Sequence, residues 1–174
     1  MSSNVSGRDF DDFYRATARR VVGYVYALTG DQGEAQDVTQ EAYIRAWRHW
    51  SRIGDFEHAE SWVRLVAARL ATDRWRRLRR RQSIEAAERP PEPVAPPSED
   101  TVLLARALKT LPVHQRQAVC LHYLLDLPVG DIARELDVPA GTVKSWLSRG
   151  RAALAEYLGR SPSPTLRKEG NGVR

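Results

Sequence analysis

The sequence predicts an all-α chain made of two small helical domains joined by a flexible, proline-rich linker. Apolar residues recur at intervals of three and four almost throughout, and no stretch alternates with the period of two that marks a half-buried strand. The composition changes abruptly over residues 82–100, where five of the ten prolines (90, 91, 93, 96 and 97) fall among five acids and a single base. The 174 residues suffice for one ordinary domain or two small ones, since a domain takes about 100 to 150 residues. The predicted units are residues 8–81, the linker 82–100, residues 101–159 and a tail 160–174.

In the first unit, Phe10, Phe13, Tyr14, Ala18, Val21, Val22, Val25 and Leu28 recur at three and four, and the helix they define stops near Thr29-Gly30, a glycine-type terminus. A second helix is expected over 32–50. Its apolar side holds Val38, Ala42, Tyr43, Ala46, Trp47 and Trp50, with Asp37, Gln40, Glu41, Arg45 and Arg48 opposite; that spacing puts Trp47 in the core with Tyr43 and Trp50. A loop follows over 51–57, and then a long helix from about residue 58 carries Trp62, Val63, Val66, Ala67 and Leu70 into a run of arginines. The linker cannot bury enough apolar surface to offset the entropy of folding. Its net charge of −4 suits it either to cover a basic surface or to act as a solvated spacer.

Four more helices are predicted over 102–111, 112–125, 129–136 and 140–158, with Pro112, Pro128 and Pro139 suited to first helical turns, where a missing N–H costs nothing. The tail, with two prolines, three glycines and little apolar content from residue 159 on, is expected to be disordered.

Charge and composition narrow the function. Hydrophobic residues make up 42% and charged residues 28%, as in a soluble globular chain. No apolar run approaches the roughly 18 to 20 residues of a membrane span, so no direct membrane binding is expected. The polar N-terminus lacks the features of a secretory signal, which predicts a cytoplasmic chain. The net charge of +5 is concentrated: residues 64–81 carry eight arginines against the single acid Asp73. Such unrelieved repulsion along one helix calls for a polyanion to offset it. Cys120 is the only cysteine and lies among Ala118, Val119 and Leu121, a core setting. The four histidines, 49, 58, 114 and 122, are scattered, and His122 with Cys120 at i,i+2 projects from different sides of a helix. No cofactor, metal site or catalytic constellation is expected, and with neither a glycine-rich phosphate loop nor a Ser/His/Asp spacing an enzyme is disfavoured.

The short helix 129–136, the turn Asp137-Val138-Pro139 and the helix from Ala140 have helix-turn-helix spacing. Ile132, Ala133, Leu136, Val138, Val143 and Leu147 would pack the two helices together. The second then exposes Thr142, Lys144, Ser145, Ser148, Arg149 and Arg151, groups able to reach base edges and phosphates in a major groove.

Leu111-Pro112, Arg116, Asp131-Ile132-Ala133-Arg134-Glu135-Leu136 and Pro139-Ala140-Gly141-Thr142-Val143-Lys144-Ser145 closely resemble region 4 of bacterial sigma factors of the extracytoplasmic-function (ECF) type, within the sigma-70 family. Independently, Glu34-Ala35-Gln36-Asp37-Val38-Thr39-Gln40-Glu41-Ala42-Tyr43 with Trp47 resembles region 2.2, and residues 62–77 resemble regions 2.3 and 2.4. The resemblance spans roughly residues 8–158. It implies a non-catalytic specificity subunit that binds core RNA polymerase, through the β′ clamp helices and the β flap, and promoter DNA. Asp37, Gln40 and Glu41 occupy the positions that meet the clamp helices. The loop 51–57 and the helix after it would open the −10 element and hold a flipped base, with Arg69, Arg76, Arg77 and Arg80 as the backbone track. Trp75 is read as packing with Ala71 and Leu78, with stacking on a base the alternative. Thr142, Lys144, Ser145, Ser148, Arg149 and Arg151 would read the −35 element. Many members are held inactive by an anti-sigma protein, which makes such a partner an option here.

Three positions depart from the family pattern. Ala68-Arg69 stands where Arg-Asn is frequent, which removes an amide from base reading. Asp137 replaces a usual glycine at a position that tends to be left-handed, a conformation aspartate tolerates better than most residues. Trp146 replaces a common arginine, so a phosphate contact is lost or the indole packs. The competing reading is an autonomous helix-turn-helix regulator that binds duplex DNA without polymerase; it leaves the 37–47 pattern and the arginine-rich helix unused.

Overall fold

The first helix, α1 (Ser3–Thr29), sets the scaffold. In the computed structural model the backbone is described for residues 3–54, 56–82 and 98–160, and side chains for 9–54, 59–77 and 98–159. Phe13, Thr17, Val21, Tyr24 and Val25 form its buried face, spaced as a helix requires to line one side. It stops at Gly30, whose φ of 66° is left-handed and whose N–H returns to the Tyr26 carbonyl at 2.6 Å; this is the glycine terminus expected from sequence. Asp31 then caps α2 (Gln32–Arg48), its Oδ1 accepting the Glu34 N–H at 2.8 Å.

The helix expected over 32–50 breaks at His49, and a single turn, α3 (Trp50–Ile53), follows it. Five of the seven residues of the predicted 51–57 loop are therefore helical, three in this turn and two in the helix that follows. The long helix α4 (Phe56–Gln82) starts two residues earlier than expected. Its inner face is built of alanines: Ala59, Ala67, Ala68 and Ala71 are buried with Val63, against Ala35, Ala42 and Ala46 of α2. Small residues on both faces let the helices approach closely, while the bulk of the core comes from an aromatic cluster at one end. There Phe10 meets Trp50 at 5.1 Å and Trp47 at 5.0 Å, and Phe13 meets Tyr43 at 5.8 Å, edge-on or tilted arrangements that aromatic quadrupoles favour.

The second group begins at α5 (Glu99–Lys109), three residues before the sequence reading put it. Ser98 Oγ accepts the Thr101 N–H at 3.3 Å, acids occupy the first turn, and Arg106 and Lys109 the last. The acids that read as linker composition thus serve the helix dipole. Next come α6 (Val113–Tyr123), α7 (Val129–Leu136) and α8 (Ala140–Arg160). Pro112 and Pro128 stand at N-caps, one position before the first turn in which they were expected. Residues 83–97 of the linker and 161–174 of the tail lie outside the described residues, as does the Arg80 side chain.

The two groups are in contact. α1 packs on α5 and α6 as well as on α2 and α4, and one continuous core runs from Val25, Tyr24 and Ala27 into Leu108, Leu111, Cys120 and Leu121.

Candidate nucleic-acid and partner surfaces

The turn between α7 and α8 is made by Asp137, which adopts φ 54°, ψ 52°, the left-handed conformation anticipated for it. Its N–H bonds the Arg134 carbonyl at 3.3 Å and the Val138 N–H bonds that of Ala133 at 3.0 Å, so the carbonyls at the end of α7 are satisfied. Ile132, Ala133, Val143 and Leu147 are buried between the helices, with Leu136 and Val138 packed at the edge. At 100° per residue, the six predicted side chains share the remaining arc of α8, about 180° wide. Arg151 and Lys144 lie along one margin, Ser148 and Ser145 in the middle, and Arg149 and Thr142 along the other. Lys144, Ser148, Arg149 and Arg151 are exposed, and Thr142 and Ser145 half-buried. Trp146 lies on the packed side, stacked on His114 of α6 at 5.3 Å with ring planes 13° apart. The indole therefore packs within this half and stays off the exposed arc.

The arginine run divides by azimuth. Arg69 and Arg76 share one exposed face of α4, and Arg77 flanks it and is exposed as well; the Arg80 side chain lies outside the described residues. Arg74 points toward α2, where it lies 3.8 Å from Asp37. Arg64 is 6% exposed and serves inside the molecule: its Nε and Nη2 donate to Glu135 of α7 at 3.1 and 2.7 Å, and Nη1 lies 3.1 Å from Glu60. Burial works against its charge, but the bonds and charges of Glu135 and Glu60 outweigh that, and its pKa is raised. Trp75, read as a packing residue, is 49% exposed.

On α2, Asp37 and Gln40 are exposed and Glu41 half-exposed, bonded to Arg45 at 2.9 Å. Trp47 corrects the sequence reading. It is 50% exposed, and at 100° per residue it falls within about 20° of Gln40, on the solvent side. Its edge-on contact with Phe10 at 5.0 Å ties it to the core. Ile44, 41% exposed, lies on the same side, so the patch combines two acids and an amide with two large apolar groups. Residue type alone concealed this; the signal was the azimuth of Trp47 relative to Gln40.

Among the described residues no group of three His, Cys, Asp or Glu could hold a metal ion, and no helix is long and apolar enough to cross a membrane.

Comparison with known proteins places both halves. Residues 13–81 match the model of sigma-70 region 2, and residues 101–154 that of sigma-70 region 4. The chain is 36% identical to the ECF RNA polymerase sigma factor SigE of Mycolicibacterium smegmatis over 90% of its own length and 64% of that relative. It is 31% identical to the RNA polymerase sigma-E factor of Streptomyces coelicolor over 86% of each. In fold it resembles the sigma factor RpoE of Bartonella quintana, solved in complex with the anti-sigma factor NepR, with a TM-score of 0.72 and 21% identity over 89% of this chain and 99% of that one.

Proposed function

The chain belongs to the sigma-70 family, as an RNA polymerase sigma factor of the ECF type, and from that premise we propose how its surfaces divide the work. A sigma factor is a non-catalytic subunit that binds core polymerase and promoter DNA. In our reading residues 8–81 bind the polymerase and melt the −10 element, residues 101–159 read the −35 element, and the segment between them lets the two act apart. The observation that carries this is the order of the two matched regions, 2 then 4, each presenting a cationic helix face to solvent.

The α2 patch is assigned to the β′ clamp helices. Asp37, Gln40 and Glu41 offer acceptors to a cationic helical partner, yet exposed ion pairs contribute only about 0–1 kcal/mol each. Ile44 and Trp47 supply the apolar area such an interface needs, and tryptophan is a frequent anchor of binding energy. The Arg69, Arg76, Arg77 and Arg80 face follows the phosphates of the opened strand, where each neutralised phosphate releases counterions. On α8, Arg149 and Thr142 are aimed at base edges, and Lys144 and Arg151 at the flanking backbone. A further contact of the second half with the β flap, a cytoplasmic location, and control by an anti-sigma protein complete the reading; the last is supported by the fold neighbour having been solved with one.

The test is core-polymerase binding by the full chain. Asp37→Ala with Glu41→Ala should weaken it, and Trp47→Ala should weaken it by more, about tenfold or beyond. Both variants should melt normally, because the ion pairs involved are exposed and Trp47 is half outside the core. Unchanged polymerase affinity in both variants would remove the clamp assignment.

A further inference from the structure

The packed side of α8 ends at Trp146. By helical spacing its indole lies about 40° from Thr142 and about 60° from Arg149, and about 140° or more from Arg151 and Lys144 on the far margin. The indole is half-buried. His114, the second residue of α6, lies flat against it and is itself exposed, with ring centroids 5.3 Å apart and planes 13° from parallel. The stack therefore continues the surface of α8 past Thr142 and Arg149 with a side chain from a different helix. This surface is free of acids: α6 carries none, and α8 none before Glu156.

We infer that His114 is a further DNA-contact residue of this sigma factor, donating an imidazole N–H to a phosphate on the wall of the major groove opposite the one met by Lys144 and Arg151. The inference rests on the reading of α8 as the −35 helix. A helix about 10–12 Å across fills a groove about 12 Å wide, so both margins of α8 come up against a phosphate backbone. Lys144 and Arg151 serve one of them. On the other margin Arg149 and Thr142 are directed at base edges, and the azimuth beyond them belongs to Trp146, which offers no cation. The group that stands at that wall is His114.

An imidazole suits the contact. At least one ring nitrogen carries a proton in either charge state, so a donor is always present, and a bond to an ionised acceptor is among the stronger ones. Stacking on Trp146 holds the ring in one plane before DNA arrives, so less side-chain freedom is lost on binding. The start of α6, which no side chain caps, brings its positive end to the same place. A phosphate carries no sequence information. His114 therefore adds affinity and fixes the seating of α8 in the groove, without a base preference of its own.

The test uses holoenzyme, the full chain bound to core polymerase, on a promoter fragment that this holoenzyme selects from genomic DNA. His114→Ala should weaken binding about tenfold, and by the same factor on single-base −35 variants. His114→Phe keeps a ring to stack on Trp146 but has no N–H, and should lose as much. His114→Lys should recover most of the loss and steepen the salt dependence by about one. All three should melt as the native chain does, since the imidazole is exposed. Replacing −35 phosphates one at a time with neutral methylphosphonates locates the partner. At one position, on the strand opposite the one sensed by Lys144→Ala, the replacement should weaken the native complex about tenfold and leave the His114→Ala complex unchanged. Undiminished binding by His114→Ala or His114→Phe would make the stack a packing feature and overturn the inference. Methylphosphonate losses that add to that of His114→Ala at every position would overturn it as well. A native holoenzyme that selects no promoter fragment overturns the functional reading, and the inference with it.

Discussion

Tyr43 shows how one side chain ties the first half together. Thr17 uses its single proton on the Phe13 carbonyl at 2.7 Å, so the bond of 2.6 Å between Thr17 and Tyr43 has the phenol as donor. Burial pushes the Tyr43 hydroxyl up to about 12 and the Cys120 thiol likewise to about 12. Both are neutral in the fold and ionise earlier in the unfolded chain. Their contribution is complete below the unfolded values and is lost as pH rises from about 9 for Cys120, and from about 10 for Tyr43, to about 12. A fall of about 2 kcal/mol from Tyr43 alone is expected across that window, seen as a drop in melting temperature that Tyr43→Phe makes shallower. Equal slopes in the two proteins would contradict this. On α8, Arg149→Ala should cost about 1–3 kcal/mol at one base position and relax selectivity there. Lys144→Ala should weaken all promoters alike and lower the salt slope by about one. Binding across a set of single-base −35 variants, with salt titrations, separates the two, and identical profiles would void the distinction. At this scale the exposed polar residues were legible from their types. Trp47 and Trp75 were not, because large aromatics at helical spacing read as core from their type, yet each is about half exposed.

Among elements, α6 and α8 approach closely at Gly150. A Cβ at Gly150 would fall 2.7 Å from the Val119 γ-methyl and 3.7 Å from Leu111. Val119 is buried and branched, so it has little room to give. Gly150→Ala gains about 1 kcal/mol of helix propensity but meets an overpacking cost of about 1–3 kcal/mol. A net loss near 1 kcal/mol in chemical denaturation is expected, and a stabilised variant would show that the two helices can slide. The helix-turn-helix was the most legible element, since the φ of Asp137, the packing of Ile132 against Val143 and the start at Ala140 all have local causes. Boundaries at α3 and α5 were less so. The break at His49 has no proline or glycine to announce it, and the cap Ser98 with Glu99 and Asp100 sits in composition indistinguishable from the linker before it. Asp126, also left-handed at φ 53°, closes the turn after α6 without any glycine to signal it.

For the molecule as a whole, two helical halves and their order could be read from periodicity and from the proline-rich interval between them. Their contact could not. Arg64 looked like one more cation in a DNA-facing run, and its partner Glu135 lies 71 residues away, a separation across which sequence pattern carries no pairing signal. The family assignment makes one claim above the rest, that this chain directs polymerase to promoters. Purified chain mixed with sigma-free core RNA polymerase on genomic DNA fragments tests it directly. The account predicts a co-eluting complex and discrete transcript start sites preceded by a shared pair of elements at −35 and −10. Binding to duplex DNA by the chain alone, with polymerase left untouched and no discrete starts, would contradict it and favour an autonomous helix-turn-helix regulator.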